Sequence, residues 1–309
     1  MPRLKTILNA KSLIRFARKQ VQEPLLRLQP NLRGAILYLP GHFHSPLLDI
    51  RSVGSTEPNI PFDGVEYWEH IELCPTEQRL YYEDLLERFA PLPFPRQKND
   101  SYRYFADNTF FGLSDAFTLS GILRKEKPRR IVEVGSGFST AVMLDTLTQI
   151  RQSATLTLIE PYPKRLFSLL SSDDKPYAKI LANRIQEVSL SVFDELDEQD
   201  VLFIDSSHVA KIGSDVTFIL LRILPRLKPG VLVQFHDVFY PFSYPVSWIR
   251  EGRAWNESIF LRAFLLGNPN FQVVAFNSFA GHSFPELFRE RLPGFPKDPG
   301  GSIWLRKIA

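Results

Sequence analysis

The chain predicts an α/β fold built on a doubly wound, mostly parallel sheet. Three observations predict it. From Arg129 onward, short apolar runs alternate with helical patterns, as a parallel sheet with right-handed crossovers requires. Four of those runs end on residues suited to chemistry. Arg130–Val134 enters Gly135-Ser136-Gly137, Leu156–Ile159 stops at Glu160, Val201–Ile204 stops at Asp205, and Val231–Phe235 stops at His236-Asp237. Finally, Phe271–Phe276 and Ser302–Arg306 are joined by a Pro/Gly-rich stretch without helical pattern, so they read as an antiparallel pair at the sheet edge. Open sheets bind ligands at the carboxyl ends of their strands, which places the four endings along one crevice.

The remaining elements follow in chain order. Residues 1–100 read as an N-terminal extension packing on a core domain of residues 101–309. Met1–Gln20 carries six basic residues and no acid, with Leu4, Leu8, Ile14 and Ala17 near helical spacing. This suits a solvated basic helix or, less simply, a membrane-surface helix; its charges interrupt any signal-peptide core. Residues 21–75 are rich in proline and irregular. Thr76 is the expected N-cap of a helix through Phe89 with Tyr82, Leu85, Leu86 and Phe89 on one side. Pro91, Pro93 and Pro95 then stiffen a linker. Ser114 is the expected cap of a helix ending before Pro128. Further helices are expected near residues 139–150, 163–170, 213–226 and 255–266, the last with Gly267 just past its end.

Composition narrows the class. The 309 residues carry a net charge of +3, too small to argue for nucleic acid, and no nucleic-acid motif appears. Cys74 is the only cysteine, which excludes an internal disulfide or a thiolate-clustered metal and suits a cytoplasmic protein. No run of about 18 apolar residues spans a bilayer.

The strand endings carry the functional reading. Gly135 and Gly137 let the backbone bend and a cofactor approach closely, although NAD enzymes share that signal. Glu160, at the end of the next strand, is placed to accept hydrogen bonds from both ribose hydroxyls. With these residues stated, 129–237 resembles a class I S-adenosylmethionine-dependent methyltransferase. The resemblance implies a Rossmann-like, seven-stranded sheet with an antiparallel C-terminal hairpin. It implies that Glu133-Val134-Gly135-Ser136-Gly137 cradles the methionine part of S-adenosyl-L-methionine, that Glu160 binds ribose, and that Gln186 borders adenine. Asn108 and Asp115, near a stretch similar to bacterial relatives, are candidates for the methionine end.

Asp205, His236 and Asp237 match the positions at which metal-dependent O-methyltransferases of the catechol and macrolide-sugar types bind Mg²⁺. Two carboxylates suit Mg or Mn. His236 departs from the usual acid or amide, so either the metal is softer or His236 is no ligand. Adjacent strand residues point to opposite faces, so His236 and Asp237 share the site only if the strand has ended. His208, three residues after Asp205, resembles the histidine proposed as general base in the macrolide-sugar enzymes. The expected activity is therefore metal-assisted O-methylation of a small-molecule or glycan hydroxyl, with His208 and Asp205 in catalytic roles. An NAD-dependent oxidoreductase on the same fold and a non-catalytic binding protein are the alternatives. The aromatic, proline-rich loop bearing Tyr240, Tyr244 and Trp248 either stacks on an acceptor or pins itself to the core, and His42 and His44 are outer candidates for the same pocket.

Overall fold

A computed structural model describes residues 40–50, 71–174 and 176–309. The expected basic helix of Met1–Gln20 lies outside the described residues. The chain divides into two compact units, residues 1–58 with 246–254, and residues 59–245 with 255–309. The first holds one described helix, Val246–Arg250, and the second holds the sheet.

The sheet has seven strands: β1 Arg130–Val134, β2 Thr155–Ile159, β3 Ala178–Leu181, β4 Val201–Ile204, β5 Leu232–Phe235, β6 Phe271–Phe276 and β7 Ile303–Lys307. Their order is β3-β2-β1-β4-β5-β7-β6. The first five are parallel, and β7 inserts antiparallel to both β5 and β6, leaving β6 at the edge. This is the predicted doubly wound sheet with its antiparallel finish. Chain order reverses between β1 and β4, which locates the crevice of an open α/β sheet.

Helices cover both faces, so strand residues are apolar on both sides. Ile131, Leu156, Phe203 and Leu232 pack on one face with Phe117, Ile122, Val142 and Met143. Val132, Leu202, Ile204 and Val233 pack on the other with Val216, Ile219 and Ile223. The period of two along each strand produces this sorting. Glu133 and Gln234 are polar exceptions: both are fully buried, and Glu133 shares the face of Ile131.

Helix α1, Pro75–Phe89, starts two residues before expectation. Pro75 occupies the first turn, where its missing N–H costs nothing, so Thr76 lies inside the helix and the capping position falls to Cys74. Helix α2 spans Leu113–Glu126 with Gly112, not Ser114, at its cap; the Ser114 hydroxyl donates instead to the Asp298 carbonyl. Helices α3 Phe138–Gln149 and α4 Lys164–Leu169 follow, then the short α5 Ser191–Asp194. The single helix expected near 213–226 is broken. Helix α6, Asp215–Phe218, widens to a π-turn over Ile219–Ile223 and tightens to a 3-10 turn over Leu224–Arg226. Pro225 explains this, because its ring clashes with a carbonyl four residues earlier and it has no N–H to give. After α7, Val246–Arg250, helix α8 spans Glu257–Leu265, and Gly267 follows with the expected positive φ of 64°.

The hairpin connection corrects the sequence reading. It contains α9, Asn277–Ser283, and α10, Pro285–Phe288, where no helix was expected. Both are too short to show periodicity, and they are held by burial of Phe288 and Phe295 against Tyr82 of α1. Asn277 ties these pieces together. Its Oδ1 accepts from the Tyr82 hydroxyl at 2.7 Å and the Thr118 hydroxyl at 2.8 Å, and its Nδ2 donates to Asp115 at 3.1 Å. Asn277→Ala leaves those buried groups unpaired and should cost about 1–3 kcal/mol. Urea denaturation checks this; an unchanged midpoint would remove Asn277 from the account.

Candidate active site

Gly135 leaves β1 with a φ of 81°, and its N–H donates to the Ile159 carbonyl at 2.9 Å. A Cβ there would lie 1.7 Å from the Asp205 carbonyl oxygen, so only glycine fits between the ends of β1 and β4. The following N–H groups are gathered by carboxylates and hydroxyls. Ser136 N–H donates to Glu160 Oε2 at 3.2 Å, Tyr162 N–H donates to Glu160 Oε1 at 2.7 Å, and Gly137 N–H donates to the Thr140 hydroxyl at 3.1 Å. Glu133 lies behind this turn. It accepts from the Ser139 hydroxyl at 2.6 Å and from the Thr140 hydroxyl, tying β1 to the start of α3. Burial pushes its carboxyl up, and these hydroxyls pull it back, to about 7.

A cavity of about 240 Å³ opens beside the turn, lined by Ser136, Gly137, Glu160, Asp205, Phe110 and Arg165 among others. The Arg165 guanidinium lies 3.6 Å from the Phe110 ring centroid, and it is the only cation lining this cavity among the described residues. A larger hollow of about 590 Å³, beside Cys74 and Phe271, sits at the opposite end of the sheet, away from the strand endings. Asn108 spends its amide on its own loop, donating to the Phe105 and Phe111 carbonyls and accepting from the Phe110 and Phe111 N–H groups. It thereby shapes the wall that Phe110 and Phe111 present. Gln186 follows β3 and donates to the Gly213 carbonyl at 2.9 Å. Asp115 is buried under the site, accepting from Ser302 at 2.6 Å as well as from Asn277.

The fourth and fifth strand endings converge. Donor atoms of Asp205, His208 and Asp237 lie within 4.8 Å of one another. His208 Nε2 is 3.4 Å from Asp205 Oδ1 and 3.7 Å from Asp237 Oδ2. The objection about neighbouring strand residues is met by the backbone: β5 ends at Phe235, and Asp237 turns back with a φ of 56°. His236 keeps the face of Gln234 and lies buried against Phe111, ring centroids 5.0 Å apart. Its Nδ1 stands 3.5 Å from Asp205 and 3.6 Å from Asp237, and its Nε2 stands 3.5 Å from Asp115. Both imidazoles thus approach the same two carboxylates, and Asp205, His208 and Asp237 are the three whose donor atoms all lie within 4.8 Å of one another.

Sequence reasoning missed Glu257. It opens α8, is fully buried, and holds His208 Nδ1 at 2.8 Å. Trp255 covers the same ring at 4.4 Å. No spacing rule links positions 49 apart, and the one available hint was an acid in the first turn of an expected helix. Arg165 was missed too, since a lone arginine after Glu160 reads as surface.

Charges set the protonation pattern. Burial opposes a charged His208, but Asp205 and Glu257 outweigh it and push the ring up to about 10. Burial likewise opposes Asp205, yet His236 and His208 hold it well below the usual carboxylate range. Burial raises Asp237 despite the same two histidines. Asp115, Asp205 and Asp237 keep His236 raised against its burial.

The aromatic loop divides. Tyr240 packs on Phe276, Phe279 and His282, while the buried Tyr244 accepts from Ser258 N–H at 3.2 Å and meets Trp255 edge-on. Both side chains thus sit in a protein cluster. Trp248, His42 and His44 belong to the other unit, where Arg253 lies over Trp248 at 4.4 Å and His42 stacks on Phe43 at 4.3 Å.

With this geometry in place, residues 132–238 are found to match the family described as a methyltransferase domain. The sequence resemblance therefore stands. The chain is also 28% identical over 203 residues to an uncharacterized protein of Archaeoglobus fulgidus, covering 61% of this chain and 82% of that protein. Among solved structures, a methyltransferase of Podospora anserina bound to S-adenosylhomocysteine aligns at 16% identity, over 79% of this chain and 93% of the other, with a TM-score of 0.42. A plantazolicin methyltransferase, in complex with a monoazolic desmethylPZN analogue and S-adenosylhomocysteine, aligns at 15% identity over 63% of this chain and 82% of the other, with a TM-score of 0.41. Likenesses this remote add nothing to the reading of the site. Among the described residues, no helix is long and apolar enough to cross a membrane.

The raised His208 makes a pH prediction. Its ordinary value is 6.5 and its folded value about 10, so its stabilising contribution is full below the lower value and is lost as pH rises through the upper one. Chelator-treated protein should lose stability between about pH 7 and about pH 10, and His208→Gln should flatten that loss. Urea midpoints across the range test it; identical slopes in the two proteins would refute the assignment.

Proposed function

We propose that this chain is an S-adenosylmethionine-dependent methyltransferase acting on a hydroxyl of a small molecule or glycan, assisted by a divalent cation. One observation carries the reading. Asp205 belongs both to the lining of the cavity beside the glycine turn and to the Asp205–His208–Asp237 cluster, so a cofactor site and a charged centre share a wall.

The cavity suits the cofactor on this chain's own features. The bare Gly135 turn leaves room for a close approach, and Glu160 is half-exposed with carboxylate capacity left for ribose hydroxyls. Arg165 stands as the counter-charge for an aminoacyl carboxylate in a cavity whose other charged groups, Glu160 and Asp205, are acidic. Gln186 is the side chain assigned to the adenine edge, and Asn108 acts by ordering the Phe110–Phe111 wall. Glu133 anchors Ser139 and Thr140 and so fixes the turn from behind. When bound, the cofactor supplies a methyl group on a sulfonium, open to in-line attack by an oxygen nucleophile.

The second centre suits a divalent cation by the chemistry of its donors. Asp205 and Asp237 offer carboxylates, and His208 turns Nε2 toward both. Such an ion supplies Lewis acidity that eases loss of the acceptor's proton. With the carboxylates alone around it, His208 holds its own proton near neutrality, so a base role requires another arrangement of charge. A cytoplasmic setting suits the single, buried thiol of Cys74.

Differential melting with S-adenosylhomocysteine and with NADH separates this reading from a dinucleotide enzyme. Ligand at about 100 times its Kd stabilises the folded state by about 2.7 kcal/mol. S-adenosylhomocysteine should raise the melting temperature and NADH should not; the reverse would establish the oxidoreductase. Glu160→Ala should weaken S-adenosylhomocysteine binding about tenfold or more, through lost charge-assisted hydrogen bonds.

A further inference from the structure

His208 is held from behind by a buried carboxylate. Its Nδ1 meets Glu257 Oε2 at 2.8 Å, and both side chains are buried. This contact keeps a hydrogen on Nδ1 and orients the ring, so the free edge, Nε2, faces Asp205 Oδ1 and Asp237 Oδ2. A carboxylate on the outer nitrogen is how ligating histidines are oriented and their basicity raised. Trp255 closes the ring's flank, and the backbone of His208 takes a φ of 58°, uncommon outside glycine. The neighbours of Nε2 are thus the two carboxylates.

A second ring points the same way. His236 is buried, and its Nδ1 has no hydrogen-bond partner among the described residues. It stands at 3.5 Å and 3.6 Å from the same two aspartates.

We infer that Glu257 makes His208 the third ligand of the centre, so that Asp205, His208 and Asp237 select a borderline divalent cation, of the manganese, iron(II), cobalt or zinc class, over magnesium. Magnesium prefers oxygen donors and near-ideal octahedral geometry, whereas imidazole suits the later divalent ions. The inference rests on the methyltransferase reading for the use of the ion, but not for its binding. Glu257 is a positioning residue here, acting through His208.

The test uses full-length protein stripped with chelator and titrated calorimetrically with Mn²⁺ and with Mg²⁺ alone. Pulsed electron paramagnetic resonance on the Mn²⁺ form then reads nitrogen coupling. Mn²⁺ should bind about tenfold or more tighter than Mg²⁺. Nitrogen coupling should be present, should vanish in His208→Ala and should persist in His236→Ala. Glu257→Gln should weaken Mn²⁺ by about 10- to 100-fold, with a smaller effect on Mg²⁺. Circular dichroism checks that each variant folds; if His208→Ala does not, the wild-type coupling together with the His236→Ala and Glu257→Gln titrations decides. Equal or tighter Mg²⁺ binding, coupling that survives His208→Ala, or no metal binding would overturn the inference. S-adenosylhomocysteine titrated into the same samples separates the two levels. Cofactor binding without metal sinks the ligand assignment alone, whereas nitrogen-coupled Mn²⁺ without cofactor binding sinks the methyltransferase reading and leaves the metal site.

Discussion

The close approach of Gly135 to Asp205 is the constraint on which the rest of the site depends. Strands β1 and β4 are neighbours in register, Val134 opposite Ile204, so the first residue past each strand meets the other at the sheet's carboxyl edge. The absence of a side chain at Gly135 lets that meeting happen at backbone distance. One consequence is that the Ser136 N–H meets Glu160 at the cavity wall. Another is that Asp205 is pinned at the cavity wall, where it can serve a second centre. A side chain at Gly135 would push the two strand ends apart and separate the cavity from the cluster.

Around that junction the protein places charge where burial would otherwise forbid it. Two histidines stand among Asp115, Asp205, Asp237 and Glu257, and each carboxylate is offset by a ring nitrogen within 4 Å. A buried group of this kind is expensive unless its members satisfy one another. The supports are drawn from distant parts of the chain: α2 supplies Asp115, α8 supplies Glu257, and the hairpin connection supplies Asn277 and Ser302 to hold Asp115. This convergence explains why the antiparallel finish of the sheet and α1, which reaches Asn277 through Tyr82, matter to a site that neither of them lines.

Much of this was legible in the sequence, for a physical reason. Buried parallel strands must be apolar and must end where polar residues begin, so Gly135, Glu160, Asp205 and Asp237 announced themselves by position. Helix ends were legible where Gly267 and Pro128 stop the chain, and illegible where Pro75 and Pro225 reset a turn whose neighbours looked regular. The helices of the hairpin connection could not be read because they are shorter than the period that would reveal them. At the site, the sequence brought out the carboxylates but not the partner of His208. Glu257 acts across 49 residues, a separation that only folding closes. His236 and His208 were both visible, but that each turns a nitrogen toward the carboxylate pair depends on the left-handed turn at Asp237 and on Glu257, and neither has a local signature.

The account stands or falls on whether the cavity beside Gly135 takes the cofactor. Isothermal titration of S-adenosylhomocysteine into the full-length protein and into Gly135→Val measures this directly. The account predicts saturable, one-to-one binding to the wild-type chain and its loss in the variant, where the side chain would drive into the Asp205 carbonyl. Absence of binding to the wild-type protein, with and without divalent metal, would contradict it.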